Sequence, residues 1–127
     1  MEDKDKIGFS LKDRFLSFRY AFNGLKILFT KEHNARIHLV IAITSIVIGI
    51  TLNISPIEWT IVLVLIALVF SLEIINTAIE YLCNFISPEW HKVIKDIKDL
   101  SAAAVLVAAI ISIICGIIIF VPKLCDF

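Results

Sequence analysis

Glu73, Asn76, Glu80 and Asn84 follow one another at spacings of three and four in FSLEIINTAIEYLCN. At about 100° per residue they fall within roughly 80° of arc on a helix, a polar stripe on an otherwise apolar rod. The preceding stretch, WTIVLVLIALVFS, is one that a lipid bilayer would accept. Ionisable groups inside a membrane span are costly, and they mark a site or an ion path. If the hydrocarbon begins near Ile57, about 20 residues at 1.5 Å each carry the helix to the far boundary near position 77. Glu73 then lies just inside that boundary and Glu80 at the interface, roughly 10 Å further along the axis.

Other polar residues come to the same level: Glu32 in TKEHNARIH, and Lys98 and Asp99 in IKDIKDLSAAA. Two carboxylates at an interface can hold Mg²⁺, a hard cation that takes oxygen ligands and often bridges phosphates. A lysine beside them can neutralise phosphate charge. A deeper carboxylate can accept a proton from a hydroxyl at the headgroup level. Together these are the parts of phosphoryl transfer, with a water-soluble phosphate donor and a membrane-embedded alcohol as acceptor.

The elements that must position these groups follow from hydropathy. The chain has 127 residues, 59% of them hydrophobic, with a mean hydropathy of +0.93. That composition places it in lipid and predicts one all-α integral membrane domain over residues 1–127. Spans are expected at about 35–52, 56–86 and 100–121, each long enough to cross ~30 Å of hydrocarbon as a helix. Eight of the 12 Lys and Arg residues precede the first span, from Lys4 to Arg36; three lie between the second and third, and only Lys123 follows. The positive-inside rule puts the N-terminus and the 87–99 loop in the cytoplasm. Over residues 10–30, Leu11, Phe15, Phe18, Phe22, Leu25 and Phe29 form one stripe, with Lys12, Arg19, Asn23 and Lys26 on another face. This predicts an amphipathic helix lying on the cytoplasmic leaflet. Small residues from Ser101 to Ala109 are expected to let helices approach closely.

Several functions are excluded. No basic stretch is interleaved with exposed aromatics on a soluble face, so no nucleic-acid partner is expected. Scattered glycines build no phosphate loop, and the three histidines form no H-E-x-x-H pattern. Cys83, Cys115 and Cys125 match no zinc spacing and are expected to be reduced packing residues. MEDKDKIGFSLKDR is charged, with no apolar core and small-residue cleavage site directly after it, so it is not read as a cleavable signal peptide. A small proton-coupled transporter carrying protons on Glu73 is the alternative; such proteins place the carboxylate nearer the midplane.

Three motifs, in order, carry a family resemblance that covers about Leu11 to Val121. They are Glu32 with Arg36 at the first span, Glu73-Ile-Ile-Asn76-Thr77-Ala78-Ile79-Glu80, and Lys98-Asp99-Leu-Ser101-Ala102-Ala103-Ala104-Val105. On these the chain resembles the prokaryotic diacylglycerol kinase and undecaprenol kinase family, small integral-membrane lipid kinases. The resemblance implies a surface helix plus three transmembrane helices, a homotrimer with shared active sites, and ATP with Mg²⁺ in a bacterial cytoplasmic membrane. It implies Glu73 as proton acceptor, with Asn76 positioning it or a phosphate. Glu32 and Glu80 would be metal ligands that also meet ATP. Lys98 and Asp99, the loop residues Glu89, Trp90 and His91, and Tyr20 would be nucleotide contacts, with Arg14 a further candidate. The family usually has aspartate where this chain has Asn84, which keeps the size and loses the charge. The Asn76-Thr77-Ala78 form and the Ser87-Pro88-Glu89 loop look closer to the undecaprenol branch.

Overall fold

A computed structural model describes residues 8–126, so Lys4 and Lys6 of the N-terminal cations lie outside the described residues. Among the described residues there are four helices: α1 Leu11–Lys31, α2 His33–Leu52, α3 Pro56–Ile86 and α4 Lys92–Cys125. The last three are long and apolar enough to cross a membrane. α3 packs chiefly on α4, α2 touches both, and α1 lies against α2 and α3.

Local chemistry sets the boundaries. Ser10 caps α1 by accepting from the Asp13 amide. α3 opens on a capping box, Ser55 with Glu58, and has Pro56 in its first turn. α2 ends at Asn53, whose φ of 54° is left-handed, a conformation asparagine tolerates. α4 begins at Lys92, well before the expected third span. Lys92 pairs with Asp96 at 3.0 Å and Lys95 with Asp99 at 2.5 Å, one turn apart, which favours helix in a stretch too polar to be a span. The helix and the membrane span thus begin at different residues.

Many of the buried residues fall on lines with a period of seven, with Glu73, Thr77 and Ala108 beside them. The lines hold Ala35, Ala42 and Gly49 in α2, and Val62, Val69, Asn76 and Cys83 in α3. Val105 and Ile119 of α4 are fourteen apart, with half-buried Ser112 between them. A seven-residue repeat keeps one seam facing the neighbours as helices wrap left-handedly. The close approach falls to the α2 line of small residues and to α4, where Ala108 is buried and Ser101 and Ala109 half-buried, whereas Ala102, Ala103 and Ala104 are exposed. At the end of the bundle away from the polar stripe, Ile54, Val62 and Ile119 form a cluster with Leu52, Trp59, Ile66 and Phe120 around it. Lys123 reaches Glu58 there at 3.2 Å. Trp59 is half-buried against Gly49 and Ile54.

Of the expected stripe on α1, Leu11, Phe15, Phe18 and Phe22 are exposed, whereas Leu25 and Phe29 are half-buried. The face toward the bundle carries Leu16, Ile27 and the fully buried Leu28, and Phe29 meets Phe70 edge-on at 5.8 Å.

A β-carbon at Gly49 would stand 2.9 Å from the Trp59 ring and 3.1 Å from Ile54. Gly49→Ala is therefore expected to destabilise the fold by about 1–3 kcal/mol through overpacking. Detergent-micelle unfolding followed by tryptophan fluorescence measures this; an unchanged midpoint would mean that the ring moves aside freely.

Candidate active site

Glu32 is the whole connection between α1 and α2. Its backbone is extended, and its N–H closes α1 on the Leu28 carbonyl at 2.9 Å. Arg36 fixes this corner. Its Nε donates to the Phe29 carbonyl at 2.7 Å and its Nη2 to the Thr30 carbonyl at 2.6 Å. A cation on the free carbonyls at the end of α1 suits the helix dipole. The Glu32 carboxyl is held above its ordinary range, first by burial and then by the negative charges of Glu80 and Glu73, with Glu80 close enough to share a hydrogen bond. Glu32 and Glu80 thus meet at one level, with Glu73 about 10 Å deeper along α3.

α3 supplies the rest of the stripe. It has 31 residues, about 46 Å at 1.5 Å each, so it exceeds ~30 Å of hydrocarbon. Glu73 is only 2% exposed, enclosed on the seam. His38 of α2 faces it, Nδ1 lying 3.0 Å from Oε1. Asn76 turns toward Glu80, its Nδ2 making a long 3.5 Å contact with Oε1. Ser101 of α4 fixes that amide by donating to Asn76 Oδ1 at 2.6 Å. Asn84 closes the stripe by accepting from Lys98 Nζ at 2.5 Å.

Two hollows flank the stripe. One is an apolar cavity of about 250 Å³ inside the bundle, lined by His38 and by residues of all three long helices, down to Ile119 and Phe120. The other, about 290 Å³, lies at the start of α4 and is lined by Ser87–His91, Ile94, Lys95 and Lys98. Glu89, Trp90, His91 and Lys98 thus share one hollow. His91 also caps α4, its Nδ1 accepting from the Val93 amide at 3.1 Å. Asp99 is turned away to Lys95, whereas Lys98 meets Asn84, so the two expected nucleotide contacts point to different partners. Tyr20 stands exposed on α1 and lines neither hollow. Arg14 sits 5.9 Å over the Phe9 ring, in the first turn of α1.

Among the described residues no group of three or more His, Cys, Asp or Glu side chains is arranged to hold a metal. The carboxyls of Glu32 and Glu80, close enough to share a hydrogen bond, suit a divalent ion that draws its other oxygens from phosphate and water.

Sequence reasoning gave His38 no role and treated Ser101 as a packing residue. The first had a signal, as an ionisable side chain within an apolar span. Ser101 had none, because its partner depends on how α4 is rotated against α3.

Fold and site together define an integral membrane enzyme whose carboxylates gather at one end of a helical bundle. Residues 19–120 match the family described as prokaryotic diacylglycerol kinase, and the chain belongs to that family: it is a lipid kinase. It is 40% identical to the undecaprenol kinase of Bacillus subtilis (strain 168), over 98% of this chain and 100% of that protein. It is 34% identical to the diacylglycerol kinase of Synechocystis sp. over 86% of this chain and 63% of that protein. With the diacylglycerol kinase of Escherichia coli (strain K12) the identity is 32%, over 75% of this chain and 78% of that one. These relatives do not favour the transporter alternative.

Burial and neighbouring charge make the folded Glu32 bind its proton more tightly than the unfolded chain does. Protonation therefore favours the fold; this contribution is complete below the ordinary value of 4.5 and is lost as pH rises through the raised folded value. Glu32→Gln is expected to stabilise the metal-free protein at neutral pH and to leave it unchanged well below 4.5. Thermal unfolding in EDTA at the two pH values checks the sign.

Proposed function

We propose that this chain transfers the γ-phosphoryl group of ATP, with Mg²⁺, to the hydroxyl of a membrane lipid at the cytoplasmic face of a bacterial inner membrane. The acceptor proposed is undecaprenol, giving undecaprenyl phosphate; diacylglycerol, giving phosphatidic acid, is the competing substrate. The observation that carries this reading is the polar stripe of α3, which runs from an apolar cavity at His38 to a polar hollow at Lys98. A lipid tail suits the first and a nucleotide the second. The full-length similarity to an undecaprenol kinase supports the choice of acceptor. The N-terminus is proposed as cytoplasmic on the distribution of lysine and arginine. A homotrimer with shared sites is proposed on the resemblance.

In this scheme Glu73 takes the proton of the acceptor hydroxyl as its oxygen bonds to the γ-phosphorus. The bond from that phosphorus to the β–γ bridging oxygen breaks, and ADP leaves with the electron pair. Glu73 then releases its proton to water at the interface. Glu32 and Glu80 would hold Mg²⁺, which when bound neutralises phosphate oxygens. Ser101 and Asn76 fix the Glu80 carboxylate, and Asn84 steadies Lys98, whose ammonium meets phosphate. Backbone amides in the first turn of α4 add favourable dipoles at the same hollow. Glu89, Trp90, His91, Asp99 and Tyr20 are proposed nucleotide contacts.

The deciding experiment supplies purified protein in lipid micelles with Mg²⁺, γ-labelled ATP and either lipid. Label is expected chiefly in undecaprenol, and Glu73→Gln should lower the rate by ~10²–10⁴ as lost general-base catalysis does. Glu80→Gln should abolish most of it, with the elution volume of the oligomer unchanged. Wild-type turnover in either variant removes the role assigned to that residue.

Asn84→Asp keeps a partner for Lys98 and is expected to retain activity. Asn84→Leu leaves the ammonium unpartnered and should raise KM for ATP about threefold to tenfold, as loss of a charge-assisted contact would. Initial rates against ATP concentration measure both.

A further inference from the structure

Among the described residues His38 is the one ionisable side chain lining the apolar cavity, and its Nδ1 lies 3.0 Å from Oε1 of Glu73. The other polar residues of that lining are Ser45 and Ser112, whose hydroxyls donate to the Ile41 and Ala108 carbonyls of their own helices. His38 Nδ1 is cut off from solvent and has no aligned hydrogen-bond partner among the described residues. A buried ring nitrogen without a partner is unfavourable, and Glu73 Oε1 is within reach of it. The two residues come from different helices, α2 and α3, so their meeting is set by the packing of the bundle. The seam that brings Ala35 and Ala42 against α3 brings His38 to this face.

We propose that His38 is a positioning residue for the acceptor end of the reaction. Its Nδ1–H holds Oε1 of Glu73, which leaves Oε2 to receive the hydroxyl proton of a lipid whose tail occupies the cavity. A base oriented by a third group is a recurring arrangement in activated-nucleophile chemistry. Here the orienting group also forms the passage from the cavity to the base, so the acceptor chain must pass the imidazole to reach Glu73. The inference rests on the lipid kinase mechanism proposed above.

The test compares wild type with His38→Ala, His38→Asn and His38→Gln in the micelle assay. Asparagine puts its amide nitrogen where Nδ1 stands; glutamine puts it near Nε2. His38→Ala is expected to lower kcat by ~10–100-fold, the effect of misplacing a reacting group, with KM for ATP within about twofold of wild type. His38→Asn should recover most of the loss and His38→Gln much less. In ¹⁵N-histidine spectra the Nδ1 resonance of His38 should move in Glu73→Gln. His38→Ala with wild-type kcat, or His38→Asn no better than His38→Gln, overturns the inference while leaving the kinase reading intact. If His38→Ala does not fold, the comparison of the two amides and the Nδ1 shift decide the matter. A folded wild type that labels neither lipid overturns the kinase mechanism, and this inference falls with it.

Discussion

A carboxylate enclosed among packed helices at the edge of the hydrocarbon is the constraint that the rest of the structure serves. Desolvating Glu73 is expensive, and the cost is bearable only where other polar groups converge on it. α3 must therefore be long enough to carry its stripe out of the bilayer, and its neighbours must place polar groups on the same side. His38 comes from α2, and Ser101 and Lys98 come from α4, each onto one turn or another of that stripe. Asn76 lies on the same period-of-seven line as Val62, Val69 and Cys83, so the seam that packs the bundle is also the seam that assembles the site.

Glu32 reaches the site by a different route. A single extended residue between two helices leaves the chain little freedom, and Arg36 removes more by binding the last carbonyls of α1. These contacts fix the backbone from which the Glu32 carboxylate reaches Glu80. At the far end, Gly49 against Trp59 sets how closely α2 approaches α3.

Much of this was legible in the sequence, because hydropathy and helical period are local properties. The second span was expected at 56–86 and α3 covers Pro56–Ile86. Spacing alone aligned Glu73, Asn76, Glu80 and Asn84. The third helix was expected to start near Leu100, because hydropathy reports where lipid begins and is silent on helix that continues into water; the i,i+4 pairs of Lys92–Asp99 were the overlooked cue. Partners between helices were not legible. Whether Lys98 meets Asp99 or Asn84, and whether Asn76 turns to Glu73 or Glu80, depends on the rotation of α4 against α3, which no single-chain periodicity encodes. Likewise the aromatic stripe of α1 was visible, but not that Leu16, Ile27 and Leu28 would form its packed face.

A lipid kinase has to join two reactants that prefer different solvents. In this chain the division follows from the lengths of the helices. Within the hydrocarbon the three spans leave an apolar cavity whose polar atoms, His38 aside, are committed to their own backbones. Beyond it α3 and α4 continue as polar helix, and the five-residue turn between them walls the second hollow with Trp90, His91 and Lys98. The stripe crosses the boundary between these regions on one rigid helix, so the spacing from Glu73 to Asn84 is set by helical rise, and Lys98 joins it from α4 through its bond to Asn84.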